Sequence, residues 1–217
     1  MKVYEVFESI QGEGINVGEP CVFVRMFGCN NHCTWCDSKY AVNGKIFTIM
    51  TPEQLLDTIN NVASDLTSLI VFTGGEPLLQ QDELECVIRT LKKTNFNIHV
   101  ETNGTIIPNK RIYKMVELFN CSPKLPSSGN LTGIKYDVMK TLAKKAIFKF
   151  VVNDENDLLL VKTISEVVKG NYMLMAEGQT RKEQVTNSPK VIQWCIDNGF
   201  TFSPRMHILT WDLKRGV

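Results

Sequence analysis

The sequence predicts an α/β fold, an incomplete (β/α)6-type barrel of parallel strands, and three observations carry that expectation. Short β-branched runs alternate with apolar patterns of helical period along the chain. Strand then helix, repeated, indicates parallel pairing, because a parallel connection needs a crossover long enough to hold a helix. The 217 residues fall short of the roughly 250 of a closed eight-fold barrel and supply about six strand–helix units. No low-complexity linker or repeat of solenoid period breaks the alternation, so a single domain over residues 1–217 is expected.

Residues 22–27 read as the first buried strand. Thr51-Pro52-Glu53 supplies an N-cap, a first-turn proline and an early acid, after which Leu55, Leu56, Ile59 and Val62 recur at helical spacing. Residues 69–72 form the next strand, 84–91 a helix, 98–101 a strand and 112–119 a helix. The alternation continues through a strand at 146–152, a helix opened by Asp154, a strand at 172–175 and a helix over 189–198. In such sheets the loops at the C-terminal ends of the strands build the site. The punctuated segments fall there: the cysteine loop after the first strand, Thr73-Gly74-Gly75-Glu76-Pro77 after the second, Glu101-Thr102-Asn103-Gly104 after the third, then Ser122-Pro123-Lys124.

Composition narrows the function classes. An apolar content of 43% and a formal net charge of +1 describe a chain that can bury a sizeable core and has no need of a polyanionic partner. Lysine and arginine are dispersed, with no basic block or basic–aromatic stripe, which argues against direct nucleic-acid binding. The start carries acids where a signal peptide would be apolar, and no apolar run approaches membrane-spanning length, so a cytoplasmic protein is expected. Seven cysteines, an odd number, fit thiol or metal chemistry in a reducing compartment better than a disulfide framework. Cys21, Cys86, Cys121 and Cys195 lie in apolar surroundings and are expected in the core.

The other three cysteines sit in the run Cys29-Asn30-Asn31-His32-Cys33-Thr34-Trp35-Cys36. Three thiolates can hold three corners of a cubic iron–sulfur cluster and leave the fourth iron free for a small molecule. The competing readings are a structural zinc site, with His32 or a distant thiolate as fourth ligand, and reduced cysteines packed as small apolar groups. Spacing disfavours zinc, because zinc sites usually present two separated ligand pairs and here a single triplet has no second pair downstream.

The cysteine spacing, the aromatic Trp35 before the last cysteine and the run Thr73-Gly74-Gly75-Glu76-Pro77 resemble the radical S-adenosylmethionine enzymes over most of the chain. Ile10-Gln11-Gly12-Glu13-Gly14, Arg25, Cys36-Asp37-Ser38 and the terminal Lys214-Arg215-Gly216-Val217 are similar, within that superfamily, to the 7-carboxy-7-deazaguanine synthase family. The resemblance implies a radical S-adenosylmethionine core carrying a 4Fe-4S cluster, S-adenosylmethionine and Mg2+. The implied reaction converts 6-carboxy-5,6,7,8-tetrahydropterin to 7-carboxy-7-deazaguanine with loss of ammonia, on the way to queuosine and related deazapurines. It begins with removal of a hydrogen atom from carbon six of the pterin.

The same resemblance assigns residues. Cys29, Cys33 and Cys36 become cluster ligands, and Ser38, where the family has threonine, becomes the oxygen ligand of magnesium. Trp35, Cys36, Asp37, Gly75, Glu76, Ser122, Pro123 and Lys124 fall on the cofactor side, with Glu76 offered to the methionine ammonium. Ile10, Gln11, Gly12, Glu13, Arg25, Thr73 and the carboxylate of Val217 fall on the substrate side. Read by chemistry alone, Arg25 in an apolar strand needs either a substrate carboxylate or an internal acid such as Glu13 or Glu19. Glu101 reads as a proton acceptor, a ribose ligand or a turn cap, and His99 and His207 as structural histidines. The implied partners are the pterin, an electron donor such as flavodoxin, and a second copy in a homodimer, with no nucleic acid and no membrane. A radical activase acting on a partner protein and a zinc-bearing binding module are the competing functions.

Overall fold

A computed structural model describes residues 1–130 and 133–217 of the chain. The first strand, β1 (Lys2–Ile10), which the periodicity above does not single out, runs antiparallel to β2 (Pro20–Met26) and sets Glu5 opposite Arg25. The short helix α1 (Lys39–Asn43) follows the cysteine loop, and β3 (Thr48–Ile49) adds antiparallel to the other side of β1. Helix and strand then alternate through α2 (Pro52–Val62), β4 (Leu69–Gly74), α3 (Gln81–Leu91), β5 (Asn97–Thr102), α4 (Lys110–Met115) and β6 (Leu118–Cys121). They continue through α5 (Tyr136–Leu142), β7 (Ala146–Val152), α6 (Glu155–Val167), β8 (Asn171–Ala176), α7 (Arg181–Asn198), β9 (Thr201–Phe202) and α8 (Met206–Trp211).

Among the described residues nine strands form one sheet in the order β3-β1-β2-β4-β5-β6-β7-β8-β9. Every pairing from β2 to β9 is parallel, and β3 and β9 are the two ends, so the barrel stays open. Helix α2 carries the expected cap: the Thr51 hydroxyl accepts from the Gln54 N–H while the Gln54 side chain accepts from the Thr51 N–H, and Leu55 and Ile59 are buried beneath it. No helix among the described residues is long and apolar enough to cross a membrane.

Some boundaries differ from expectation. The run 112–119 is not one helix. Val116 takes an extended conformation (φ −75°, ψ 132°), α4 stops at Met115, and β6 is inserted between β5 and β7. Ile112, Val116 and Phe119 are all buried, and their spacing happens to match a helix, which is why periodicity merges the two elements. Helix α7 starts at Arg181 rather than at Pro189, because Thr180 and Glu183 close a capping box upstream and the proline lies inside the helix. Cys21, Cys121 and Cys195 are buried as expected, but Cys86 is only half-buried, on a flank of α3 away from Leu84, Val87, Ile88 and Leu91.

Strand alternation gives the sheet two unlike faces. Val22, Val24 and Met26 of β2, Ile70 and Phe72 of β4, and Phe148, Phe150 and Val152 of β7 join the large core under the helices. The intervening residues turn to the inside of the open barrel, where Cys21, Phe23, Leu69 and Val71 form a small apolar cluster.

Candidate active site

Beyond that apolar cluster, the inward positions change character. Arg25 on β2, Thr73 on β4, Glu101 on β5, Asn120 on β6 and Lys149 on β7 line a cavity of about 670 Å3, a size suited to a small ligand. The register sets Arg25 beside Thr73 and Glu101 beside Asn120. A polar row thus stands at the C-terminal ends of the parallel strands, where this architecture builds sites.

The cysteine loop forms one wall. Cys29, Cys33 and Cys36 are free, half-buried thiols on the cavity. Cys29 Sγ accepts from the Asn31 N–H (3.4 Å) and from Asn103 Nδ2 (3.7 Å), and Cys33 Sγ accepts from Asn130 Nδ2 (3.0 Å). Such donors stabilise thiolate sulfur in cluster sites. Burial pushes the Cys36 thiol up to about 11 and raises that of Cys29, so loading a cluster must expel protons. His32 borders the cavity, and among the described residues no three cysteine, histidine or acidic side chains converge on one ion-sized point. A cubic cluster, whose iron corners stand apart, does not require them to, so the donor set fits such a cluster.

The glycine pair positions this wall. A Cβ on Gly74 would stand 2.1 Å from the Met26 carbonyl oxygen, and one on Gly75 1.9 Å from that of Gly28. Only bare backbone lets β4 turn across the start of the cysteine loop, with the Gly75 N–H donating to Met26 O (3.1 Å) and the Glu76 N–H to Gly28 O (2.9 Å).

A charged network continues from this wall through Asp37 and Ser38. Lys149 Nζ donates to Glu13 Oε2 (2.8 Å) and stands 3.7 Å from Glu101 Oε1. Glu101 also accepts from Thr73 Oγ1 (2.9 Å) and Gln11 Nε2 (3.2 Å). Arg205 donates to Glu13 Oε1 (3.2 Å), to the Gly178 carbonyl (2.7 Å) and to Asp37. Ser38 Oγ donates to Asp37 Oδ1 (2.7 Å), and His207 Nε2 lies 3.9 Å from Asp37 Oδ2. Burial opposes ionisation of Glu13, yet the charges of Lys149 and Arg205 hold it at about 2. Asp37, equally disfavoured by burial, is held well below the usual carboxylate range by Arg205 and His207. Burial also works against the Lys149 charge, and Glu13 with Glu101 outweighs it.

With this geometry established, similarity to known proteins becomes decisive. A family model described as the Radical SAM superfamily matches residues 23–122. The 7-carboxy-7-deazaguanine synthase of Pyrobaculum aerophilum is 32% identical over an alignment covering 100% of this chain and 97% of that protein. The chain belongs to the 7-carboxy-7-deazaguanine synthase family. The synthase of Clostridium acetobutylicum is also 32% identical, with 100% of this chain and 99% of the relative covered. The crystal structure of QueE from Escherichia coli shares the fold at a TM-score of 0.76 and 21% identity, covering 95% of this chain and 94% of that one. As a member of this synthase family the protein is a radical S-adenosylmethionine lyase, an enzyme that works with a 4Fe-4S cluster and S-adenosylmethionine.

In this chain the site residues expected from sequence fall into groups. Trp35, Asp37 and Ser38 border the cavity with the cysteines, and Gly75, Ser122 and Lys124 face it across the strand ends. Lys124 Nζ donates to Ser122 Oγ (2.8 Å) and sits 5.8 Å from the Trp35 ring centre. Ile10, Gln11, Gly12, Glu13, Thr73 and Val217 border the same space. Two do not. Pro123 is not part of the wall, and Glu76 is fully buried behind it. The Glu76 carboxylate accepts from the N–H groups of Asn103 (2.7 Å) and Leu78 (3.1 Å) and from Thr102 Oγ1. Arg25 pairs with Glu5 (2.7 Å) between the rings of Phe7 and Tyr40, not with Glu13 or Glu19.

Four residues on the cavity wall escape the sequence reading. Lys149 gives the same signal as Arg25, a lone cation in an apolar strand, but has no motif beside it. Arg205 and His207 lie near the C-terminus, and only the fold brings them to Asp37. His207 is no remote structural histidine, because a Cβ on Gly12 would stand 2.5 Å from its Nδ1. Asn120 is buried on the cavity wall, and neither amide atom has a hydrogen-bond partner among the described residues.

Proposed function

We propose that this cavity converts 6-carboxy-5,6,7,8-tetrahydropterin to 7-carboxy-7-deazaguanine with release of ammonia, in the cytoplasm, within deazapurine and queuosine biosynthesis, and that residues 1–217 act as one domain. The observation that carries the reading is the meeting, on one cavity, of three cysteine thiols, two of them supported by hydrogen-bond donors, with the row Arg25, Thr73, Glu101 and Lys149. Cys29, Cys33 and Cys36 hold the cluster, which leaves one iron for the amino and carboxylate groups of S-adenosylmethionine. When bound, the pair supplies the hydrogen-atom abstraction that starts the reaction.

The chain's own residues bind and orient. Trp35, Asp37, Gly75, Ser122 and Lys124 flank the cofactor, while Glu76 keeps the Thr102–Asn103 backbone in place behind them. Arg25 spends its Nε on Glu5, which leaves its terminal nitrogens for the substrate carboxylate. Gln11, the backbone of Gly12, Glu13, Thr73 and Val217 read the polar edge of the pterin, with Ile10 as apolar wall. The Ser38 hydroxyl, already oriented by Asp37, offers the hard oxygen that Mg2+ prefers. An electron donor such as flavodoxin and a homodimeric state complete the proposal.

The test is turnover. Anaerobically reconstituted protein given carboxytetrahydropterin, S-adenosylmethionine, reductant and Mg2+ should release 7-carboxy-7-deazaguanine and ammonia in equal amounts. Cleavage of S-adenosylmethionine without either product would favour an activase.

A further inference from the structure

Substrate and product of the proposed reaction differ by one molecule of ammonia, so no net proton passes to solvent. Breaking the carbon–nitrogen bond nevertheless asks for two proton movements: the leaving nitrogen must gain one, and a neighbouring carbon must lose one. An acid and a base that can pass the proton between themselves would meet this demand and return to their starting state.

Resting on the function proposed above, we propose that Lys149 and Glu101 are that acid–base couple. Lys149 comes from β7 and Glu101 from β5, the two strands flanking β6, and both border the cavity. The Lys149 side chain is 2% exposed, and a buried ammonium is costly unless something uses it. A structural ion pair would need only Glu13, which already accepts from the lysine at 2.8 Å. The second carboxylate, Glu101, stands 3.7 Å away, outside hydrogen-bond length but one small movement from it, and its side chain is 24% exposed. Thr73 and Gln11 fix its orientation. The charged groups around Lys149 are Glu13, Glu101 and Arg205. Glu13, tied to both cations, is the fixed anion of the group and takes no proton.

Each step balances. Glu101 takes the proton from carbon, and the electron pair of that bond becomes the new ring double bond. The carbon–nitrogen pair leaves with nitrogen, which takes a proton from Lys149 and departs as ammonia. The Glu101 carboxyl then returns its proton to the neutral Lys149 amine.

Lys149→Arg separates this role from a structural one, because arginine keeps the charge but does not give up a proton. Reconstituted Lys149→Arg enzyme, without reductant, should bind carboxytetrahydropterin within about threefold of the wild type by calorimetry. With reductant and substrate deuterated at carbon six, it should still move deuterium into the S-adenosylmethionine pool while ammonia release falls at least about 100-fold. Glu101→Gln should show the same split, and it decides the matter if Lys149→Arg does not fold by circular dichroism. The proposal is overturned if either folded variant releases ammonia within about fivefold of the wild type, or if label transfer and ammonia release fall in parallel. Wild-type enzyme that cleaves S-adenosylmethionine but makes no deazapurine would instead overturn the function on which the proposal rests.

Discussion

On β7, neighbouring residues live in different surroundings. Phe148 and Phe150 are fully buried beneath the helices, with the Phe150 ring stacked on Tyr172, whereas Lys149 between them turns into a cavity walled with carboxylates. The contrast recurs across the sheet: Val24 and Met26 flank Arg25, and Phe72 precedes Thr73. The outward row is bound by packing density, so its side chains are replaceable only by others of like volume. The inward row is relieved of that demand above the plug of Cys21, Phe23, Leu69 and Val71. It can therefore hold groups that lower stability and serve ligands.

The largest expected effect lies wholly on the inner side. Cys33→Ala should abolish turnover and lower bound iron and sulfide, because a corner of the cluster is lost. Thermal unfolding of the metal-free variant should match that of the metal-free wild type, since Cys33 is half-buried in a loop outside the packed core. Retained turnover would show that Cys33 is not needed to hold the cluster.

The converse lies on the outer side. Phe150→Ala should cost about 3–5 kcal/mol in urea denaturation, through lost transfer energy and the cavity left behind. Turnover per folded molecule should hold near the wild-type value. A variant that keeps its stability but loses turnover would mean that the two faces are not energetically separate.

How much of this pattern the sequence carries depends on range. The parallel strands show themselves through local periodicity, and the cysteine and glycine–glycine segments through local spacing. Element β6 is lost because Ile112, Val116 and Phe119 mimic a helix across a helix–strand boundary. Helix α7 is shortened because Pro189 looks like a start and the true cap, Thr180, lies nine positions upstream. At the site, Arg205 reaches Asp37 across 168 positions and Glu13 across 192, and no local pattern encodes such pairings. Glu76 is the opposite case: its motif is plain, but the hydrogen bonds its buried carboxylate takes from Asn103, Leu78 and Thr102 arise only in the fold.

Glu76 is a charged group placed where packing rules apply. Burial raises its pKa from 4.5 to about 7, against the hydrogen bonds from Asn103, Leu78 and Thr102. A folded-state pKa above the unfolded one contributes stability that is present below about pH 4.5 and is lost as pH rises through about 7. Wild-type stability relative to Glu76→Gln should therefore fall by about 2–3 kcal/mol between pH 5 and pH 8. Urea titrations of both proteins at the two pH values measure it, and a gap that does not change with pH would show that Glu76 titrates normally.

The smallest effect tests the inner row's tolerance of cost. Asn120 is 1% exposed, and both its amide nitrogen and its oxygen are buried without a partner among the described residues, an arrangement that costs about 1–3 kcal/mol. Leucine has a similar volume and nothing to satisfy. Asn120→Leu should thus raise stability by about 1–2 kcal/mol, one of the few core substitutions expected to do so. The same change removes a donor and an acceptor from the cavity wall, so the KM for the pterin should rise while the unfolding midpoint does. Opposite movement of the two quantities is what a row kept for ligands predicts. A fall in stability would instead mean that the amide is already satisfied and that Asn120 belongs with the packed residues.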